Sequence, residues 1–126
     1  MLIADEDPVR RLMLYDLLSR AGFAVVVCES GMEAIRELRP LDHPPLAILS
    51  ENLRGMGGRE ICERMRDAAK EVYLILNCER VTSDILAAGL DAGADHVSAA
   101  SAPEVELLAY VKAGLRAVVR RQVATQ

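Results

Sequence analysis

Leu46-Ala47-Ile48-Leu49-Ser50-Glu51-Asn52-Leu53-Arg54-Gly55-Met56-Gly57-Gly58 is the stretch on which the fold of this chain turns. It begins with four apolar residues, stops at Ser50 and enters a Gly-rich loop. An apolar run of this length, with Pro44-Pro45 before it and glycines after it, predicts a strand buried on both faces, because helices on either side leave no polar face to alternate. Ser50 is then the C-terminal end of the strand. In open parallel α/β sheets ligands and chemistry gather at such ends, which makes Ser50 and its neighbours the candidate site.

Toward the N-terminus, Met1-Leu2-Ile3-Ala4 reads as a short strand running into Asp5-Glu6-Asp7-Pro8, with Asp7 as helix N-cap and Pro8 at the first helical position. Val9, Met13, Leu14, Leu17, Leu18 and Ala21 recur at helical spacing, and Gly22 closes that helix. Phe23 to Val27 reads as a second buried strand. Ser30-Gly31 then opens a helix whose apolar face is Ala34, Ile35 and Leu38, ended by Pro40.

Toward the C-terminus, Ile61, Cys62, Met65 and Ala69 make the inner face of a third helix. Val72 to Leu76 is a fourth strand, Asn77 to Arg80 a strand-end loop, and a fourth helix runs through Ile85, Leu86 and Gly89 to near Gly93. Ala94 to Ser98 is a fifth strand, and Pro103 begins a last helix. Five strands alternating with five helices predict an α/β fold: a doubly wound parallel sheet covered on both faces, with the flavodoxin-like strand order 2-1-3-4-5. That order makes strands one and three neighbours and brings Asp5, Glu6 and Ser50 together.

The 126 residues suit one domain, and 52% hydrophobic content is ample for its core. A net charge of -4 with dispersed arginines argues against direct nucleic-acid binding, and no apolar run is long enough to span a membrane. No signal peptide is evident at the N-terminus, so the expected location is cytoplasmic. Cys28, Cys62 and Cys78 are widely spaced in apolar surroundings and read as reduced, buried thiols rather than metal ligands.

The segments LIADEDP, LAILSENLRGMGG, the LILN strand end and GLDAGADHVSAAS together resemble, over essentially the whole chain, the receiver domains of two-component response regulators. The resemblance implies the same fold and a phosphoryl-accepting pocket holding a divalent metal. Carried over residue by residue, it places the acidic pair on Asp5 and Glu6, the metal-ligating carbonyl on Asn52 and the phosphoacceptor on Ser50, where the family has aspartate. The hydroxyl position falls on Asn77, the aromatic switch position on Val97, the lysine on Ala100 and the following proline on Ser101.

These departures share a chemical consequence. Phosphoryl transfer needs an in-line nucleophile and cationic charge on the transferred group. A serine hydroxyl needs a general base, and neither His43 nor His96 falls at this corner. Ala100 brings no charge, and Asp5, Glu6 and Asn52 are a thin set for Mg²⁺, so the metal is expected to be weak or absent and no other cofactor is expected. The peptide bond before Ser101 is expected to be trans, since cis costs a non-proline bond about 2.5–4 kcal/mol.

In the last helix Leu108, Val111, Leu115 and Val118 have heptad spacing, which a core helix with a broad apolar face accounts for. The other reading is an interaction face including Leu107, Tyr110, Arg116 and Val119; the resemblance implies that this side of the domain commonly dimerises. Residues 1–120 form the receiver-like domain, and 121–126 are expected to begin a linker to an output domain, a diguanylate cyclase among the candidates. The resulting expectation is a degenerate receiver: a non-enzymatic, phosphorylation-independent protein-interaction or dimerisation module acting on other signalling proteins or an attached output domain. The alternative is an atypical phosphoacceptor receiver using another acid or Ser50. A small flavin binder fits poorly, with no phosphate-binding Gly loop after the first strand and few aromatics.

Overall fold

The local signals set up each strand and helix of the computed structural model, which describes residues 1–124. In chain order the elements are β1 (Leu2–Ala4), α1 (Pro8–Arg20), β2 (Val26–Cys28), α2 (Gly31–Leu38), β3 (Leu46–Ser50), α3 (Gly58–Asp67), β4 (Tyr73–Cys78), α4 (Ser83–Asp91), β5 (His96–Ala99) and α5 (Glu104–Ala124). The five strands form one parallel sheet in the order β2-β1-β3-β4-β5, as the alternation predicts. Asp7 caps α1 by accepting from the Val9 amide at 3.0 Å, and Ser30 caps α2 by accepting from the Glu33 amide.

Strand parity divides the core between the two faces. Leu2, Ala4, Ala47, Leu49, Leu74 and Leu76 point toward the side of α2 and α3, whereas Ile3, Leu46, Ile48 and Ile75 point toward Leu14 and Leu18 of α1 and Leu107 and Val111 of α5. β3 is buried at every position, as its sequence demands.

Several expectations change. β2 begins three residues later than expected and is only partly buried: it is an edge strand with one neighbour, so Cys28 reaches the core while Val26 and Val27 each remain 42% exposed. In α1 the buried positions are Leu14 and Leu18, while Val9, Met13 and Ala21 face water, because one helix stripe is all that reaches the sheet. Ala69 lies past the end of α3 at φ 55°, where the Lys70 amide donates to the Met65 carbonyl and the Ala69 amide to Arg66, a Schellman-type stop without the usual glycine. Asn77 and Cys78 belong to β4 rather than to a loop, since pairing with β5 carries the strand two residues further. In α5 the buried seam is Leu107, Val111, Gly114 and Val118, displaced from the heptad positions Leu108 and Leu115, which are only partly buried.

α5 continues without a break to Ala124, so the expected boundary at 120/121 falls inside a helix; residues 125 and 126 of the expected linker lie outside the described residues. Arg121 turns back to the domain, donating to Asp95 Oδ1 at 3.0 Å with its guanidinium 5.8 Å from the Tyr73 ring centre. Asp95 Oδ2 accepts from Arg66 at 2.7 Å and from the Leu74 amide at 2.8 Å. Arg66 also donates to the carbonyls of Gly93, Lys70 and Val72. This cluster joins the ends of α3 and α5 to the starts of β4 and β5.

Removing the carboxylate would leave Arg66 and the Leu74 amide without their shared acceptor, whereas removing Arg121 would delete one half-exposed pair. Asp95→Ala is therefore expected to cost roughly 2–3 kcal/mol and Arg121→Ala under about 1 kcal/mol, measured by urea unfolding. Ala69→Gly is expected to raise stability by about 0.5 kcal/mol in the same assay, since relief of the left-handed strain exceeds the added entropy of the unfolded chain.

Candidate functional site

Asp5, Ser50, Asn77 and Ser98 are the buried polar side chains among the described residues, and they share one strand parity. Ser50 pairs in register with Asn77, and Asn77 with Ser98. Asp5 follows Ala4, the partner of Leu49, so it stands beside Ser50 at the C-terminal edge of the sheet. The row lies on the α1/α5 side. Ser98 donates to Asn77 Oδ1 at 3.1 Å, which satisfies the serine donor and one amide acceptor inside the layer.

Asp5 carries the largest electrostatic demand. It is 1% exposed, and a carboxylate taken out of water costs several kcal/mol unless paired. Its partners come from the first turn of α1. Arg10 Nε donates to Asp5 Oδ2 at 2.6 Å, Arg10 Nη2 to Oδ1 at 3.3 Å, and the Asp7 amide to Oδ1 at 2.9 Å. Arg11 donates to the Asp5 backbone carbonyl at 2.8 Å and pairs with Glu29. The hydrogen bond to Asp5 raises the Arg10 pKa further above the ordinary arginine value.

The other expected site residues divide. Ser50 is buried, and its hydroxyl accepts from the Asn52 amide at 3.3 Å, folding the hydroxyl into its own loop. That loop is held close: a Cβ built on Gly58 would lie 2.5 Å from the Ser50 carbonyl oxygen, so the start of α3 can approach the strand end only with glycine there. Glu6 and Asn52 are exposed. Val97 is buried on the opposite face against Gly89 of α4, where a Cβ on that glycine would meet Val97 Cγ2 at 2.7 Å. Ala100 donates its amide to the Cys78 carbonyl at 2.7 Å, and with Arg10, Asn77 and Ala102 it lines a cavity of about 60 Å³. There are no cis peptide bonds among the described residues, in agreement with the expectation at Ser101.

Glu51 points away from Ser50, as strand period requires, and accepts from the Glu79 amide at 3.1 Å, tying the β3–α3 loop to the β4–α4 loop. Of the expected interaction face, Leu107 is a core residue packed with Val111, so it is withdrawn from that surface; Tyr110 is half-buried, and Arg116 and Val119 are exposed. All three cysteines are buried, and desolvation pushes each thiol up to about 12.

A divalent ion does not fit this donor set. Three of the roughly four acceptor positions of the Asp5 carboxylate are already used, by two Arg10 nitrogens and the Asp7 amide. Glu6 is turned to solvent, Ser50 supplies a hydroxyl where a second buried carboxylate would be needed, and no group of three or more His, Cys, Asp or Glu among the described residues could hold a metal ion.

The sequence model described as the response regulator receiver domain matches residues 1–112. The chain belongs to that family. The receiver is 33% identical over 116 residues to the DNA-binding response regulator MtrA of Mycolicibacterium smegmatis, with 92% of this chain and 50% of that protein aligned. It is 31% identical over 116 residues to the transcriptional regulatory protein CseB of Streptomyces coelicolor, with 92% of this chain and 49% of that protein aligned. A CheY-like receiver domain protein from Methanospirillum hungatei superposes with a TM-score of 0.85 at 21% identity, covering 95% of each chain. The receiver thus spans about half the length of the curated relatives it matches. Receiver domains are generally non-enzymatic signalling modules. The name of the MtrA relative leaves the expectation of no nucleic-acid contact unsupported for any longer protein carrying this domain. No helix among the described residues is long and apolar enough to cross a membrane.

Reading the sequence alone missed Arg10, Ser98 and the environment of His96. Arg10 had a signal: cations in a helix's first turn oppose its dipole by about 0.3–1 kcal/mol, so Arg10-Arg11 one residue past Asp7-Pro8 implies a compensating acid nearby. His96 stacks on Tyr110 at 4.0 Å between ring centres, and its Nε2 is buried without a hydrogen-bond partner. Burial lowers its pKa, so the folded state disfavours the imidazolium. Its contribution to stability is full above the unfolded value near 6.5 and is lost as pH falls through the lower folded value. The melting temperature is expected to drop between about pH 7.5 and about pH 5, and His96→Phe should flatten that drop. An unchanged slope in the variant would place the acid sensitivity elsewhere.

Proposed function

We propose that this receiver signals without phosphorylation, as a protein-interaction module that regulates an attached output domain. One observation carries the reading: the residue at the acceptor position is Ser50, whose hydroxyl accepts from the Asn52 amide and whose neighbouring carboxylate, Asp5, is taken up by Arg10 and the Asp7 amide rather than free to act as its base. An aspartate there would be an ionised nucleophile at neutral pH, while a serine hydroxyl without a base is not. Ala100, at the lysine position, offers a methyl group, and Asn77 offers an amide already bonded to Ser98. Val97, at the aromatic switch position, is packed under α4 and has no aromatic ring to swing.

The signal on this reading is a partner contact. The exposed residues of α5, Arg116 and Val119, with the edge of Tyr110, provide a surface for it, and a second copy of the chain is one such partner. The attached output domain is proposed to bind DNA, as the MtrA relative is described as doing, in preference to the diguanylate cyclase the tail suggested.

Incubation with acetyl phosphate and Mg²⁺ followed by intact-mass measurement is expected to show no phosphoryl adduct. Beryllofluoride with Mg²⁺ is expected to leave the amide NMR spectrum unchanged. Stoichiometric labelling of Ser50 or of any Asp or Glu would overturn the reading and favour the atypical phosphoacceptor.

A further inference from the structure

Asp5 is retained and buried, yet what neutralises it is part of the chain. We propose that Arg10 is the resident cation of the receiver pocket, holding the Asp5 carboxylate in place of a divalent metal and closing the pocket to such ions. The proposal deepens the phosphorylation-independent reading and rests on it for its biological meaning, though its geometry stands alone.

Three observations converge. Arg10 makes a two-nitrogen contact with Asp5, at 2.6 and 3.3 Å, which is the fork geometry in which guanidinium matches carboxylate best. The guanidinium is held from a second side by Glu79 on the β4–α4 loop, 3.5 Å from Nη1, so it bridges the β1 and β4 ends of the pocket. Its side chain is 23% exposed, so the pair is largely shielded from screening, unlike the exposed surface pairs of this chain.

The source of the cation matters for behaviour. A metal ion arrives from solution, and its occupancy varies with concentration and with the charge of the acceptor. A guanidinium in the chain is always present and always charged. The charge state of the pocket is therefore constant, and the strand-end loops are held in one arrangement. This also explains how Ser50 can replace a carboxylate without penalty: one buried acid and one guanidinium balance, whereas a second acid would need a further cation.

The test uses Mn²⁺ as the probe and three chains: wild type, Arg10→Gln, and the double variant Asp5→Asn with Arg10→Gln. In the ¹⁵N-labelled wild type, millimolar Mn²⁺ is expected to cause no saturable broadening of the Asp5, Asp7 or Ser50 amides. Arg10→Gln is expected to melt several degrees below wild type and to regain about 4 °C or more at Mn²⁺ about tenfold above its Kd, because the ion then supplies the missing charge. The double variant, whose buried pair is neutral, is expected to gain nothing from Mn²⁺.

Saturable broadening in the wild type would overturn the proposal, and that arm needs no variant to fold. So would an Arg10→Gln chain whose stability Mn²⁺ leaves unmoved, or a double variant that gains as much as the single one. Mn²⁺ binding by wild type without phosphoryl uptake would overturn the Arg10 assignment alone; phosphoryl uptake would overturn the proposed function.

Discussion

A carboxylate at the end of a central strand, shielded from water by two helices, needs a positive partner wherever the rest of the domain can supply one. Here Asp5 draws that partner from α1, and the first turn of the helix is arranged accordingly. Asp7 ends the strand-to-helix turn and caps the helix, Pro8 fixes the backbone at its first position, and the same first turn places Arg10 over Asp5 and Arg11 over the Asp5 carbonyl. Side chains on a helix lean toward its N-terminus, so residues in the first turn reach back to the strand that precedes them. The charge that opposes the helix dipole by less than about 1 kcal/mol relieves a burial cost of several.

That constraint organises the remainder of the sheet edge. Parity sends Asp5, Ser50, Asn77 and Ser98 to the same face, and register lines them across four strands. Only the first of them carries an ionisable side chain. Ser98 and Asn77 satisfy one another, and Ser50 is satisfied within its own loop. The layer is held by neutral hydrogen bonds with one charge pair at its end, so it keeps the shape of a receiver pocket with a different charge balance.

Much of the fold was legible because period and punctuation agree. The apolar run of β3, the Asp7-Pro8 and Ser30-Gly31 helix starts and the glycines at strand and helix ends each point the same way, and the order of strands follows from alternation and length. What failed did so for identifiable reasons. Val26 and Val27 look like core residues because valine is apolar, but burial of a strand depends on its neighbours in the sheet, and an edge strand has only one. Leu107 looked like surplus surface because a heptad can be drawn through Leu108, yet the helix meets the sheet one residue earlier, through Leu107, Val111, Gly114 and Val118. At the site, Asp5 and Ser50 were found from strand ends; Ser98 was not, since its role comes from pairing across to Asn77, a long-range contact with no local signature.

The same distinction between local and long-range bears on how α5 relates to the pocket. The helix is packed through its first half by Leu107 and Val111 against Ile48 and Ile75, and its far end is tied by Arg121 to Asp95 and Tyr73. Asp95 is shared with Arg66, which holds the end of α3 to the carbonyls of Gly93, Lys70 and Val72. The helix, tied to the sheet near both ends, runs unbroken across residue 121. On the proposed reading this is coherent: a pocket whose cation is covalently part of the chain gives α5 no second arrangement to adopt, and partners meet a surface whose geometry is set by folding alone. A receiver built for switching needs two arrangements close in free energy, biased by a ligand that binds them unequally. With Arg10 present in both, that differential is removed at its source.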